Sequence, residues 1–175
     1  WRVADASGAG PAAAHLRLFS VTAWRMMSKR DPWTNMLRTT MACAAAAIGG
    51  ADAITVLPYT FALGRTDRFA RRMARNTQLV LAEESSLGRV VDPAGGSWYV
   101  EKLTDDLAQK AWSLFTEIEA QGGMAAALRS GLVQDRIAAT AATRAEAIAK
   151  GRLELTGVSA FPLLGDDGVT VEPWP

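Results

Sequence analysis

Hydrophobic residues follow two different periods in the first third of this chain. Residues 16–24 (LRLFSVTAW) alternate between hydrophobic and other side chains, which predicts a β-strand. Residues 36–48 place apolar side chains three and four positions apart, which predicts a helix with one apolar face. That face comprises Met36, Leu37, Thr40, Met41, Ala44 and Ile48. Residues 53–57 form an uncharged apolar run before Pro58, which is typical of a strand buried on both faces.

Capping residues predict where the first two helices begin and end. Asp31 can accept backbone N–H groups and Pro32 suits the first helical position, so the first helix is predicted to start there. The glycines at 49–50 are predicted to end it. Thr-Asp at 66–67 predicts the start of the second helix. Its inward face is predicted to carry Phe69, Met73, Leu79, Val80 and Leu81, and its outward face Arg68, Arg71, Arg72 and Arg75.

The second half of the chain is predicted to be mostly helical. After a turn-rich segment at 86–99, a third long helix is predicted to open at Thr104, with Asp105 and Asp106 in its first turn, and to end at the glycines 122–123. Further elements are predicted as helices over 124–129 and 134–150 and a short strand over 153–158.

The order of these elements favours the α/β class. Strand, helix and strand in succession predict parallel strands joined by a helical crossover. Two or three strands cannot cover themselves, so we expect the other part of an α/β sheet or barrel to lie upstream. Residues 1–15 are expected to be a flexible lead-in, 16–160 the domain, and 161–175 a linker or tail.

Composition narrows the function classes. The 175 residues carry 19 Lys and Arg against 18 Asp and Glu, a net charge of +1, which disfavours a nucleic-acid binder. The single Cys gives no disulfide framework and fits a reducing cytoplasm. The longest apolar run, residues 41–50, is too short to span a bilayer. Because the first residue is Trp rather than Met, we expect the chain to be a piece of something longer.

The residues that could carry chemistry each have a simpler explanation. His15 could be a base or metal ligand, but no second His accompanies it and a solvent-facing role is favoured. Cys43 lacks a neighbouring base and is better explained as a small buried hydrophobe. The glycines at 95–96 could bind a phosphate, but without a following Lys they indicate a tight turn.

Charged clusters are equally inconclusive. Arginines at 65, 68, 71, 72 and 75 could hold a phosphorylated ligand, although a solvated or interface role is favoured. Adjacent acids at 83–84 and 105–106 do not face each other on a helix, so neither pair is a catalytic dyad. The residues alone therefore predict an α/β region without a self-contained active site.

An ordered series of motifs resembles the methylmalonyl-CoA mutase family. It runs from D-P-x-x-N-x-x-R-T-T and I-G-G-A through A-R-N-T-Q to D-P-A-G-G-S-W-Y-V-E, and covers about residues 16–160. The motif residues expected to have structural roles are Asp31, Pro32, Asn35, Arg38, Arg75, Asn76, Gln78, Asp92, Pro93, Gly95, Gly96, Ser97, Tyr99 and Glu101. The resemblance implies the C-terminal portion of a (β/α)8 TIM barrel followed by the start of a linker.

The chain departs from catalytic members of that family at polar positions. Their His-x-Gln pair is replaced by Phe19 and Val21, and the His, Asn and Glu of their H-T-N-A-x-D-E segment by Thr55, Leu57 and Phe61. Apolar side chains cannot hold reactive fragments by hydrogen bonds. The pattern is similar to the small (beta) subunit of heterodimeric mutases, regarded as non-catalytic.

That resemblance implies a partner and a cofactor. We expect a homologous large subunit that isomerises methylmalonyl-CoA and succinyl-CoA with adenosylcobalamin in the full complex. No cofactor and no metal are expected on this chain, because the sequence around His15 does not match the family's D-x-H-x-x-G cobalt-ligating motif. The alternatives are a divergent catalytic acyl-CoA mutase chain and, with less support, an unrelated helical interaction module.

An incomplete barrel predicts uncovered apolar surface. Leu18, Ile54, Val56 and Leu57 are expected to be prominent in an exposed patch large enough to mark an interface. The isolated chain is therefore expected to self-associate or to bury these residues by rearranging its helices.

Overall fold

The computed structural model describes residues 2–10 and 16–174. The chain divides into two compact units, residues 1–93 with 162–175, and residues 94–161. It is helix-rich and contains a small parallel sheet, in agreement with the predicted α/β class. Among the helices of these described residues, none has the length and apolar character needed to cross a membrane.

The first unit holds the sheet and the helices packed on it. Its helices and strands are α1 (Arg2–Ala6), β1 (Phe19–Val21), α2 (Thr34–Ile48), β2 (Ala53–Thr55) and α3 (Arg68–Leu79). Its remaining helical turns are 3-10 at Trp24–Met26, π at Val80–Glu84 and 3-10 at Leu87–Arg89. Helix α1 lies inside the segment expected to be a flexible lead-in, while residues 11–15 lie outside the described part of the chain.

The two strands are parallel, as predicted. Phe19 pairs with Ala53, Ser20 with Ile54 and Val21 with Thr55, and α2 forms the crossover between the strands. A helical crossover is needed because parallel strands cannot be joined by a tight turn.

The two faces of this sheet differ in burial. Ser20 and Ile54 are half-buried, whereas their neighbours on both strands are exposed. Burial of β2 on both faces was therefore the wrong expectation, since helices cover only one face. The predicted apolar patch is corrected as well: Val56 is 6% exposed and belongs to the core, Ile54 and Leu57 are half-buried, and the exposed large side chains are Leu18, Phe19 and Val21.

A small core lies between β2, α2 and α3. Cys43 from α2, Val56 after β2 and Ala74 from α3 form its buried cluster, with Ile54 and Leu81 packed against it. The small side chains at 43 and 74 allow α2 and α3 to pack closely at this cluster.

The buried face of helix α2 overlaps the predicted one only in part, because Met36, Thr40 and Ala44 are half-buried. Its buried residues are Asn35, Thr39 and Cys43, while Leu37 and Met41 of the predicted apolar face are 68% and 70% exposed. Burial of Asn35 and Thr39 is possible because their polar atoms are hydrogen-bonded, which offsets their loss of water.

The start of α2 also differs from the prediction. The helix begins at Thr34 rather than at Asp31, whose φ is 43°. In this left-handed conformation Asp31 does not act as an N-cap; its carbonyl accepts from the Thr34 N–H at 3.2 Å, and its carboxylate accepts from the Thr34 hydroxyl.

Helix α3 begins as predicted, but fewer of its residues are buried than the sequence predicts. Asp67 is the N-cap, and its Oδ1 accepts from the Ala70 N–H at 2.6 Å. The buried positions are Ala70 and Ala74, whereas Phe69 and Leu79, predicted to face inward, are about half exposed. Val80 is also exposed, and Met73 and Leu81 are half-buried. The predicted outward arginines are exposed.

The second unit is helical. It contains α4 (Trp98–Ala120), α5 (Met124–Ser130) and α6 (Leu132–Ala149). Helix α4 begins at Trp98, earlier than the predicted Thr104, because Ser97 occupies the extended N-cap position. Gly122 and Gly123 adopt φ values of 92° and 87° and end the helix as predicted.

Residues 153–158 do not form the predicted strand. The N–H groups of Val158, Ser159 and Ala160 all donate to the Leu155 carbonyl, so the chain turns on itself here. An isolated bridge links Thr156 and Ala160 in this segment.

Candidate functional site

Two loops leave the sheet at the same edge. Residues 22–33 follow β1 and residues 56–67 follow β2, and because the strands are parallel both loops start at their carboxyl ends. Ligands of parallel sheets bind outside this end of the strands. We call these two loops the carboxyl edge and build the candidate site from them.

Thr22 continues the strand pairing into the carboxyl edge. Its N–H donates to the Thr55 carbonyl at 3.0 Å, and its Oγ1 accepts from the Leu57 N–H at 2.9 Å. The residue is 4% exposed, so both bonds are shielded from water. Thr22 thereby fixes the first residues of the second loop against the first.

Asn35 connects the two loops from the first turn of α2. Its Nδ2 donates to the carbonyls of Ser28 at 2.8 Å and Tyr59 at 2.9 Å. Its Oδ1 accepts from the Ser28 N–H at 2.9 Å and from Arg38 Nη1 at 2.8 Å. These four bonds use the full capacity of a carboxamide, so the fully buried side chain can serve as a structural clamp.

Arg38 completes this clamp from one turn further along α2. Burial lowers the pKa of its guanidinium, and the nearby charge of Asp31 acts in the opposite direction. An arginine remains charged under either influence, so its bond to Asn35 is charge-assisted.

Aromatic rings pack around the same point. Trp33 stacks on Tyr59 with ring centroids 5.0 Å apart, and Phe69 meets Tyr59 edge-on at 6.4 Å. Tyr59 is 3% exposed. Burial, followed by the charge of Asp67, raises the pKa of its phenol, so the group stays neutral and is unsuited to act as a base near neutral pH.

Thr60 differs from Thr22 and Asn35, whose buried side chains are hydrogen-bonded. Its side chain is fully buried, yet its hydroxyl has no hydrogen-bond partner within residues 2–10 and 16–174. Its carbonyl does have partners, the N–H groups of Leu63 at 2.9 Å and Gly64 at 3.4 Å.

The five residues expected to replace polar side chains of catalytic mutases fall in two places. Phe19, Val21 and Thr55 share the exposed face of the sheet, where Val21 is paired with Thr55. Leu57 and Phe61 lie beyond β2 on the carboxyl edge and are half-buried. Phe61 packs edge-on against the Trp174 ring at 5.4 Å. Apart from the Thr55 hydroxyl these side chains have no polar atoms, so they offer no acid, base or charge.

The motif residues do not gather into one site. Asp31, Pro32, Asn35 and Arg38 surround the carboxyl edge, whereas Arg75, Asn76 and Gln78 lie on α3, the first exposed and the others half-buried. Asp92 and Pro93 are exposed, and Asp92 adopts a φ of 51°.

The glycine-containing motif forms the turn into α4. Gly96 adopts a φ of 79°, and its N–H donates to Glu101 Oε1 at 3.2 Å. Gly95, Ser97 and Tyr99 are exposed. These features favour the tight turn over a phosphate site.

The remaining candidates carry no catalytic arrangement. His15 lies outside the described residues. Cys43 is buried, and burial raises the pKa of its thiol. On α4, Asp105 accepts from Gln109 and Asp106 pairs with Lys102, as solvated helix acids do. No group of three or more His, Cys, Asp and Glu that could hold a metal occurs in the described parts of the chain.

Sequence reasoning missed the return of the C-terminal tail to the carboxyl edge. Residues 170–172 line a cleft of about 510 Å³ together with Arg65, Thr66, Asp67 and Arg71. Within it Arg65 Nη1 lies 3.3 Å from Glu172 Oε2, and Arg71 donates to the Thr66 carbonyl. The tail's composition gave no periodicity from which this contact could be found.

Comparisons with known proteins give the family. The profile of the family described as methylmalonyl-CoA mutase matches residues 2–172. The chain is 60% identical over 174 residues to the methylmalonyl-CoA mutase small subunit of Streptomyces virginiae, covering 99% of this chain and 28% of that one. It is 43% identical over 175 residues to the small subunit of Propionibacterium freudenreichii subsp. shermanii, covering 99% and 27%.

Relatives named without the subunit term are also similar. The methylmalonyl-CoA mutase of Escherichia coli (strain K12) is 35% identical over 161 residues, covering 92% of this chain and 22% of that one. The chain thus spans about a quarter of the length of the curated relatives that it matches. Since the family profile covers nearly the whole sequence, the chain belongs to the methylmalonyl-CoA mutase family.

Proposed function

We propose that this chain is part of the small, non-catalytic subunit of an adenosylcobalamin-dependent methylmalonyl-CoA mutase in the cytoplasm. In this proposal it supports a homologous large subunit that interconverts methylmalonyl-CoA and succinyl-CoA in propionate metabolism. The names of the two most similar relatives above, both small subunits, support the assignment.

The observation that carries the proposal is the chemistry of the positions where catalytic relatives are polar. Phe19 and Val21 are 75% and 61% exposed on the open face of the sheet, so apart from the Thr55 hydroxyl a substrate reaching these positions would meet hydrocarbon. A radical rearrangement needs polar groups that hold the reacting fragments in place. The side chains present do not supply them.

The same donor set does not fit adenosylcobalamin. Phe19, Val21, Leu57 and Phe61 cannot hydrogen-bond an amide or ribose, and Cys43 is enclosed in the core. The sequence around His15 lacks the cobalt-ligating pattern. We therefore assign no reaction step to this chain, and place the cofactor of the full complex on the large subunit.

The sheet geometry supports a place in a barrel. Helices α2 and α3 share a core cluster with Ile54 of β2 and with Val56, while Phe19, Val21 and Thr55 on the other face of the sheet are exposed. In a (β/α)8 barrel the helices likewise cover the outer face of the strands, and the other face points into the barrel. Residues 16–160 are proposed as the C-terminal portion of such a barrel, with residues 1–15 as a lead-in and 161–175 as the start of a linker. The motif residues are proposed to act structurally, with Asn35 as the best-supported case.

Activity of the natural full-length protein tests this proposal. We expect no isomerisation by this subunit alone and full activity after addition of the large subunit. In the complex, Phe19→Ala and Val21→Ala should leave kcat within about twofold of wild type, because neither side chain acts on the reacting atoms. The subunit alone should leave the visible spectrum of adenosylcobalamin unchanged.

Two results would contradict the proposal. Turnover by the isolated subunit would favour the alternative of a divergent catalytic mutase chain. A stoichiometric change of the cobalamin spectrum on addition of this subunit alone would place the cofactor here.

A further inference from the structure

The C-terminal segment 162–174 lies against both loops of the carboxyl edge. At the first loop, Asp166 Oδ2 accepts from the Asp31 N–H at 2.9 Å. At the second loop, Glu172 bridges Arg65 in antiparallel fashion and Trp174 packs on Phe61. We call residues 162–174 the strap.

The strap leaves no room for a side chain at Gly64. The Arg65 N–H donates to the Glu172 carbonyl at 2.7 Å, which brings the two backbones together. A Cβ at position 64 would lie 2.2 Å from the Glu172 carbonyl oxygen and 3.0 Å from Val171 Cγ2. The first distance is impossible for a real side chain, so any residue other than glycine must displace the strap or the loop.

The side-chain contacts of the strap are more exposed than this backbone contact. The Arg65 and Glu172 side chains are 63% and 76% exposed, so their ion pair contributes little. Trp174 is 52% exposed and covers Phe61 from one side. The backbone pairing beside Gly64 is therefore the contact on which the position of the strap depends most.

We propose that residues 162–174 close the carboxyl edge of β1 and β2, and that Gly64 is the position that permits closure. The strap supplies Thr170, Val171 and Glu172 to the wall of the cleft beside Arg65 and Arg71, so its release opens that cleft and uncovers Phe61. The closure does not depend on the catalytic or non-catalytic status of the chain, and it goes beyond the proposed subunit role.

Hydrogen–deuterium exchange of the natural full-length protein tests the closure. In wild type, the peptide that contains Arg65 and the peptides of the strap should be protected. Gly64→Ala should speed their exchange by about tenfold or more, because the added Cβ breaks the Arg65–Glu172 pairing. The matched control is Gly88→Ala, since a Cβ at Gly88 meets nothing within 4 Å; it should leave these peptides unchanged.

Two further variants keep the test decisive. If Gly64→Ala also speeds exchange in α2, the variant disturbs the fold and does not report on the strap alone. Trp174→Ala then tests the closure instead, because the ring is half-exposed. It should speed exchange in the strap and leave exchange in α2 unchanged. Glu172→Gln keeps the backbone bridge and should change exchange by less than about threefold.

The proposal is overturned by any of three results. The first is a strap that exchanges in wild type as fast as an unfolded peptide. The second is wild-type protection in both Gly64→Ala and Trp174→Ala. The third is a Glu172→Gln variant that opens the strap as much as Gly64→Ala, because the exposed ion pair would then be the anchor.

Discussion

A buried hydroxyl without a partner raises the free energy of the native state. Among the described residues, the Thr60 hydroxyl has no partner. Thr22 is nearly as buried, but its Oγ1 accepts from the Leu57 N–H. The two threonines lie on the same edge of the sheet and differ in whether the hydroxyl is hydrogen-bonded, which makes them a useful pair for comparison.

Replacement of each threonine by the isosteric valine should change stability in opposite directions. Thr60→Val is expected to raise the free energy of unfolding by about 1 kcal/mol, because it removes an unpaired polar group. Thr22→Val is expected to lower it by about 1 to 3 kcal/mol, because the Leu57 N–H loses its acceptor. Chemical denaturation of the two variants and wild type measures both changes. Equal destabilisation by both would show that the Thr60 hydroxyl has a partner in solution.

At the scale of a helix, the buried side of α2 is held by side-chain hydrogen bonds to distant loops. Asn35 reaches Ser28 and Tyr59, which are 7 and 24 residues away in sequence. Its removal would leave the Ser28 N–H and two carbonyls of the carboxyl edge without their partner, in a place closed to water.

Asn35→Ala should therefore be far more costly than a change at another polar position of α2. We expect a loss of about 3 kcal/mol or more in the free energy of unfolding. Thr40→Ala is the control, since the Thr40 hydroxyl donates only to the Met36 carbonyl of its own helix, and its cost should stay within about 0.5 kcal/mol. Thermal unfolding of both variants provides the comparison. Similar midpoints would mean that Asn35 does not clamp the loops.

Helices α3 and α2 show where sequence reasoning succeeds and where it fails. The Asp67 cap of α3 was predictable because its acceptor and the Ala70 N–H are three residues apart, so the signal is local. The inward face of α2 was not, because Asn35 is buried by partners in other elements while Leu37 and Met41 remain exposed. A hydrophobic pattern shows which residues prefer burial. In α2, hydrogen bonds to residues distant in sequence determine which side is buried.

The candidate site also has features that the sequence predicted and features that it did not. The alternating pattern predicted a strand that contains Phe19 and Val21, and the parallel arrangement of the strands was predicted from the crossover. The strap was not predicted, since the contact from Asp166 to Asp31 spans 135 residues and the tail has no periodic pattern. Contacts of that sequence separation depend on the folded shape of both partners.

At the scale of the whole molecule, the open face of the sheet is the feature that calls for a partner. Phe19 and Val21 project from it, and complete burial of such side chains stabilises a protein by about 1.5 to 3 kcal/mol each. In the longer relatives other parts of the chain are available to cover a face of this kind. For the 175-residue chain by itself, association between copies is the available way to bury it.

We therefore expect the isolated 175-residue chain to associate at micromolar concentration and to bind a hydrophobic dye. Phe19→Thr with Val21→Thr should lower both the mass measured by light scattering and the dye fluorescence, because threonine keeps the β-branched preference for strands and removes apolar surface from the open face. Val91→Thr is the control: Val91 is 96% exposed in a turn-rich segment that is not part of either strand, so its replacement should change neither signal. A monomeric wild-type chain without dye binding would mean that the open face is covered from within the chain.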